Sequence, residues 1–325
     1  MLYKFTGAGN NFVVLDGRGR DMAPYRAVDR IQALCRQYST DGLMILGLDP
    51  EVDFSMEFYN PDGTGGMMCG NGGRCIVAFA DMLGLKPVAS DGTWLFRAPD
   101  GLHIATILQT PEDTTSSGTP FASLSPAPPT ADAAGPSPYP CPGVDMSAEG
   151  SILRKWTVRL KMIDVQGIEA MMGGYFLNTG TRHFVKFVAD VNAMDMERDA
   201  KPLRWDKAFQ PVGTNVNFVQ VATDGLHVRT FEKGVEGETL ACGTGLTASA
   251  LAAYGHGIPG QAGDDEERHG RPLDEERHGR LRSAISYRLQ CRRGDWLQVE
   301  FHPAPGDHFT DVYLTGPAEC LEVIE

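Results

Sequence analysis

Apolar and polar positions follow two rhythms along this chain, and the switches between them mark its elements. Residues 2–16 alternate like a strand, break at Gly7-Ala8-Gly9-Asn10-Asn11, and resume as Phe12-Val13-Val14-Leu15-Asp16. Residues 26–38 place Val28, Ile31, Leu34 and Cys35 on one helical face. Asp41–Leu46 reads as turn then strand, Phe54–Tyr59 as an alternating strand, and Asn60-Pro61-Asp62-Gly63 as a turn. A helix is expected from Cys69 to about Leu83, stopped by Gly84 and Pro87, followed by strands at Thr93–Ala98 and Leu102–Leu108. Strand-like runs return at Trp156–Met162, Ile168–Phe176 and His183–Val188, with a helical or mixed stretch over about 190–210. Val216–Val221 and His227–Phe231 read as paired strands, and Cys242 opens a second helix to about Tyr254. The last strands are expected at Trp296–Phe301, Val312–Leu314 and Cys320–Ile324.

Two segments break these rhythms. Residues 110–150 are dominated by Thr, Ser, Pro and Ala and read as a solvated loop or linker. Residues 257–283 hold a tandem duplication, Asp265–Leu273 then Asp274–Leu281. It reads as a loop expansion rather than a metal site built on His269 and His278.

The two expected helices share an opening. Cys69-Gly70-Asn71-Gly72-Gly73 and Cys242-Gly243-Thr244-Gly245 each follow an extended run and each begin an Ala-rich helical pattern. A Cys at such a mouth sits where backbone N–H groups and the helix dipole favour anions, and therefore thiolate over thiol. Two matching contexts suggest two halves facing across a cleft, one sulfur on each side of a substrate. Opposed groups of this kind suit proton removal from an amino-acid α-carbon, one taking the proton while the other delivers one to the far face. A cofactor such as pyridoxal phosphate usually supplies the electron sink for this step, and nothing here marks a Lys as its Schiff-base site.

The bulk properties narrow the class. A chain of 325 residues divides most naturally into two halves, each able to bury a core. A net charge of −13 argues against nucleic acid or an anionic membrane as partner. No apolar run reaches the ~20 residues that span a bilayer, and Met1-Leu2-Tyr3-Lys4-Phe5 reads straight into a strand. A cytoplasmic location is the expectation. The seven cysteines form no CxxC pair and fit reduced thiols; no His or Cys pair sits at zinc-ligand spacing near either Gly-rich turn, so no metal is expected.

At these residues the sequence resembles the diaminopimelate epimerase family of cofactor-independent amino-acid epimerases. The resemblance is carried by Lys4–Phe12, Tyr59–Gly63, Met68–Cys75, Asn215–Phe218, and Arg229–Gly234 leading to Ala241–Gly245. It implies an α+β fold of two similar halves, each a curved, mostly antiparallel sheet around a central helix. The halves would span 1–150 and 151–308, with the last strands, about 309–325, returning to the first. It implies epimerisation of LL-2,6-diaminopimelate to the meso isomer by a homodimer. Residue by residue, Cys69 and Cys242 match the acid/base pair. Gly70, Asn71, Gly243 and Thr244 match the donors to the reacting carboxylate, and Glu232 the acceptor of the α-ammonium. His183, with Thr181 beside it, matches a supporting histidine near the thiols. Asn10, Asn60 and Asn215 match polar pocket residues, and Lys233 a distal contact.

Departures fall where the far end of the substrate would lie. Gly42 stands where Gln is frequent, Thr181-Arg182-His183 where Asn-Pro-His is frequent, and Lys233 where Arg is usual. A related racemase acting on histidine or a proline derivative is the alternative, and a non-catalytic ligand-binding or redox-sensing protein with a cysteine pair a third reading. Cys75, Met67 and Met68 read as packing residues.

Overall fold

The computed structural model describes residues 1–66, 68–111, 154–262 and 284–324. Nearly all of the Pro/Ser-rich segment, the whole tandem duplication, Met67 and the 150/151 boundary lie outside them. Among the described residues seventeen strands join in one continuous sheet that curls around two helices.

The first half opens with the hairpin β1 (Leu2–Gly7) and β2 (Asn10–Asp16), whose tight turn puts Ala8 and Gly9 at positive φ. Helices α1 (Ala23–Arg26) and α2 (Val28–Tyr38) follow; α2 buries Ile31, Leu34 and Cys35 as its periodicity predicts, whereas Val28 is exposed. Then come β3 (Gly42–Gly47), β4 (Phe54–Tyr59), helix α3 (Gly70–Met82), β5 (Thr93–Ala98), β6 (Gly101–Gln109) and β7 (Arg154–Lys161). Strict alternation in β4 and β5 buries every second side chain.

The second half contains β8 (Glu169–Met171), β9 (Gly174–Asn178), β10 (Arg182–Phe187), α4 (Lys201–Arg204), β11 (Asn215–Ala222), β12 (Gly225–Glu232), β13 (Gly237–Thr239) and α5 (Gly243–Gly255). The short β14 (Gln261–Ala262), then β15 (Ile285–Gln290), β16 (Trp296–Ala304) and β17 (His308–Val323) complete it.

Strand β17 joins the halves. Its first part pairs with β16, through Phe309 to Thr315, and its second part pairs with β7 and β1. In the first half the ladder closes on itself, β1 to β7 in order and then β17 back to β1. Closure leaves no free sheet edge and creates an interior that α3 fills. Helix α3 is therefore buried nearly all round, with Cys75, Ile76, Val77, Ala78, Phe79 and Ala80 fully inside. Helix α5 is equally buried, and small residues on it, Ala248, Ala250, Ala252 and Ala253, let the surrounding strands approach closely.

Two strand readings are drawn differently, β15 was not expected as a strand, and β7 pairs across the expected boundary. The run Ile168–Phe176 is not one strand but a hairpin, because Met172 and Gly173 both adopt positive φ. Val312–Leu314 and Cys320–Ile324 belong to one long strand, with Pro317 inside it where β17 leaves β16. Strand β15 has mixed polarity that hid its period, yet it is paired on both sides. Strand β7, assigned to the second half, pairs with β6 and β17 in the first.

Candidate active site

Each of the two buried helices is capped by a cysteine. Cys69 precedes α3 in extended conformation, and its Sγ accepts a hydrogen bond from the Gly72 N–H at 3.2 Å. Cys242 precedes α5 in the same backbone region, with its Sγ 3.4 Å from Thr244 Oγ1. The helices meet head to head. A Cβ placed on Gly243 would lie 3.6 Å from Gly70 Cα and 3.5 Å from Asn71 Oδ1. Leu314 of β17 sits under both ends, 3.3 Å from such a Cβ at Gly70 and 3.0 Å from one at Gly243. Glycine on both sides lets the two helix ends approach without displacing Leu314. Two positive helix ends therefore share one cleft, where first-turn N–H groups favour an anion.

Burial dominates the electrostatics. It pushes the Cys69 thiol up to about 11, against the Gly72 N–H bond that favours the anion, with the Glu232 carboxylate adding to the rise. Burial pushes Cys242 higher still, and Glu232 is again the largest charge acting on it. Glu232, at the end of β12, is itself raised by burial. One carboxyl thus faces both sulfurs, a concentration of negative character that calls for a cation between them.

His183 is completely buried on β10 at the edge of this group. Thr230 Oγ1 donates to Asn217 Oδ1 (2.9 Å), which turns Asn217 Nδ2 toward His183 Nδ1 (3.0 Å). The network assigns the ring proton to Nε2, 2.9 Å from Thr181 Oγ1 and 3.0 Å from Thr244 Oγ1. Burial lowers its pKa to about 3, with the Asn217 contact opposing, so the ring is neutral throughout the neutral range. It acts as an oriented donor to Thr244, which touches Cys242.

The sign of the pH dependence follows. The folded state holds His183 neutral down to about 3, whereas an unfolded His takes a proton near 6.5. The stability contributed is present above 6.5 and is lost as pH falls from there toward 3. His183→Gln is expected to flatten that acid limb in urea midpoints measured from pH 7 to 4; an unchanged slope would exclude His183 as its source.

Most of the residues singled out in the sequence come together here. Gly70, Asn71, Gly243 and Thr244 form the two helix mouths. Asn71 Nδ2 donates to Asn10 Oδ1 and, at 3.4 Å, to the Ala241 carbonyl across the cleft. Asn215 is buried and accepts the Lys233 N–H at 2.8 Å, while its Nδ2 donates to Thr181 Oγ1 at 3.4 Å. Asn60 is drawn elsewhere, donating to Thr64 Oγ1 at 3.1 Å inside its own turn. Lys233 is exposed just past β12. Gly42 lies where a Cβ would meet the Tyr59 carbonyl oxygen at 2.9 Å, which explains why no longer side chain occupies it. Cys75 is wholly buried, and Met68 packs against the core. The sequence reading passed over Asn217, Thr230 and Leu314, which lie inside ordinary-looking strands. It also passed over Arg74, whose signal was its charge within an otherwise apolar helix. Among the described residues no cluster of three or more His, Cys, Asp or Glu could hold a metal, and no helix is long and apolar enough to cross a membrane.

Comparison with known proteins agrees with this geometry. Residues 175–263 match the family model described as diaminopimelate epimerase. The chain is 31% identical over 324 residues to the diaminopimelate epimerase of Flavobacterium psychrophilum, covering 98% of this chain and 97% of that one. It is 34% identical over 268 residues to the diaminopimelate epimerase of Aquifex aeolicus, covering 79% and 82%. Among solved structures, a phenazine biosynthesis protein of the PhzF family from Bacillus anthracis superposes with a TM-score of 0.61 at 11% identity, covering 100% of this chain and 98% of that one. A hydroxyproline epimerase from Agrobacterium vitis superposes at 0.51 with 14% identity, covering 99% and 90%. The second pair supports the α+β two-half fold alone; by the first, this chain belongs to the diaminopimelate epimerase family.

Proposed function

We propose that the protein inverts an amino-acid α-carbon without a cofactor, converting LL-2,6-diaminopimelate to the meso isomer, with Cys69 and Cys242 as the acid/base pair. The observation that carries the reading is the head-on meeting of two helices, each capped by a cysteine. A substrate α-carboxylate between them would receive backbone N–H groups from Gly70 and Asn71 on one side and Gly243 and Thr244 on the other. Its α-ammonium would meet Glu232, supplying a cation beside the buried carboxyl that faces both thiols. That cation, with the two helix ends, draws the thiols toward ionisation once substrate is bound.

The chemistry is a proton exchange at carbon. One sulfur, as thiolate, takes the α-proton; the C–H bond breaks, S–H forms, and the electron pair moves into the carboxylate. The opposite thiol then gives its proton to the other face of the carbon, and the charge returns to sulfur. His183 holds Thr244, and through it Cys242, in place. Asn10 braces Asn71, and Asn215 with Thr181 positions the strand end that carries Lys233. We take the working form to be a cytoplasmic homodimer without nucleic-acid or membrane partners, its two halves divided between residues 150 and 151 apart from β7 and the returning strand.

The test is incubation with LL-diaminopimelate in deuterated water without added cofactor. Loss of the α-proton signal and appearance of the meso isomer are expected. Lys233→Met is expected to raise KM for diaminopimelate several-fold with little change in kcat, because an ammonium at that position makes a single point contact with the distal carboxylate. Lysine lacks that carboxylate. If lysine, histidine or a proline derivative is inverted as efficiently as diaminopimelate, the substrate assignment fails and a different racemase activity replaces it.

A further inference from the structure

Arg74 lies on α3 and is completely buried. Its guanidinium donates to three neutral oxygens. Nη2 reaches Asn71 Oδ1 at 2.8 Å, Nη1 the Gly70 carbonyl at 3.3 Å, and Nε the Pro317 carbonyl of β17 at 3.3 Å. A buried cation held by neutral acceptors alone is expensive, and the usual resolution is a carboxylate partner. Arg74 has none in hydrogen-bond contact among the described residues: the carboxylate that acts on it, Asp295, does so less than the sulfurs of Cys75, Cys69 and Cys291, and pairs with Arg293 at 3.5 Å.

Its place along the helix adds to the cost. Helical side chains lean toward the N-terminus, and the contact with Gly70 brings the charge back into the first turn. A cation there meets the positive end of the helix dipole, the unfavourable sense. Both penalties are offset by one event, an anion at that helix mouth. The atom there that can become one is Cys69 Sγ, held by the Gly72 N–H.

We infer that Arg74 is a positioning residue whose buried charge makes Cys69, rather than Cys242, the more readily ionised sulfur of the pair. The two sulfurs are unequal in their surroundings. Cys69 has Arg74 and the deeply buried Cys75 sulfur on its own helix, Glu232 on β12 and the Cys242 sulfur beside α5. Cys242 has Glu232 and the Cys69 sulfur as its main charged influences. Arg74 also orients Asn71: by donating to Oδ1 it turns Nδ2 toward Asn10 and the Ala241 carbonyl beside Cys242. One guanidinium thus sets the charge at one helix mouth and braces that mouth against the other. The asymmetry is an assignment about the thiols of the unliganded protein. Its consequence for turnover rests on the two-thiol reading above.

The experiment is iodoacetamide alkylation of the reduced full-length protein from pH 6 to 11, with modified cysteines located by peptide mass. Wild type, Arg74→Gln and Arg74→Lys are compared. In wild type, Cys69 is expected to show the lower pH midpoint of the two sulfurs. Arg74→Gln is expected to raise the Cys69 midpoint by a unit or more, about a tenfold lower rate near neutral pH, with the Cys242 midpoint unchanged. Arg74→Lys keeps the charge and should restore most of the difference. In turnover, Arg74→Gln should lower kcat with KM within a few-fold, and shift the rising limb of the pH–rate profile upward. A folded Arg74→Gln protein with a wild-type Cys69 midpoint overturns the inference. If Arg74→Gln does not fold, the wild-type comparison decides, since a Cys242 midpoint at or below that of Cys69 overturns it equally. Alkylation needs no substrate, so failure of the diaminopimelate assignment leaves this test standing, and failure of this test leaves that assignment standing.

Discussion

Replacing either Cys69 or Cys242 by alanine is expected to lower the rate of epimerisation by roughly 10⁴-fold or more, the upper end of what a positioned acid or base contributes. The reason is geometric. Each sulfur caps a different helix, and the two helix ends approach from opposite sides, Gly70 against Gly243. A proton removed on one side cannot be replaced on the other by the same group. The variants also differ in kind from a general loss. Each retains one sulfur, so each should still exchange the α-proton of the one isomer that presents its C–H bond to that sulfur. The two variants should do this for opposite stereochemistry. Steady-state inversion rates, together with deuterium exchange measured separately on the LL and meso isomers, check both statements. A single variant that keeps a tenth of the wild-type inversion rate would end the two-base assignment.

Gly245→Ala is expected to be destabilising, although alanine ordinarily favours a helix over glycine by about 0.5–1 kcal/mol. The added Cβ would lie 2.5 Å from Asn217 Oδ1 and 3.3 Å from both Cys242 Cβ and His183 Cε1. Asn217 cannot swing aside freely. It is fully buried, accepts from Thr230, and faces His183 Nδ1 with its Nδ2. Overpacking of this kind typically costs ~1–3 kcal/mol, which outweighs the propensity gain and reverses its sign. Moving Asn217 also frees the His183 tautomer, so kcat is expected to fall about tenfold beyond the stability change. Gly65→Ala is the control, since a Cβ there meets nothing within 4 Å and the backbone is not in the left-handed region. Urea midpoints and kcat for both variants settle the comparison. A Gly245→Ala protein at least as stable as wild type would show that Asn217 and His183 are not locked as described.

Much of the local structure is readable from neighbouring residues alone. The amphipathic face of α2 repeats with helical period and packs as that period requires, apart from Val28 at its start. The alternation in β4 and β5 appears unchanged as buried and open side chains. The two Cys-Gly openings are legible for the same reason: a cap, a glycine-rich first turn and the helix behind it are contiguous in sequence.

Long-range pairing is not readable in this way. The 308–323 segment reads as two short strands because Gly316 and Pro317 interrupt its period, yet it is one strand. Its partners change there, from β16 to β7 and β1. Strand β15 carries Ser286, Tyr287 and Arg288 in succession, and only pairing on both sides makes it a strand. Asn60 has the residue type of a pocket group, but its own turn takes its side chain.

By itself, then, the sequence determined what depends on contiguous residues: two buried helices, a cysteine at the mouth of each, and flanking strands with defined inner faces. Tertiary structure decided which groups confront one another. The closing ladder through β17 brings two distant helix mouths together; the Thr230–Asn217–His183–Thr244 chain selects a tautomer from four separated segments; and the fold buries Arg74 against neutral oxygens. Such relations depend on distance and dielectric, quantities that a linear pattern of residue types does not contain.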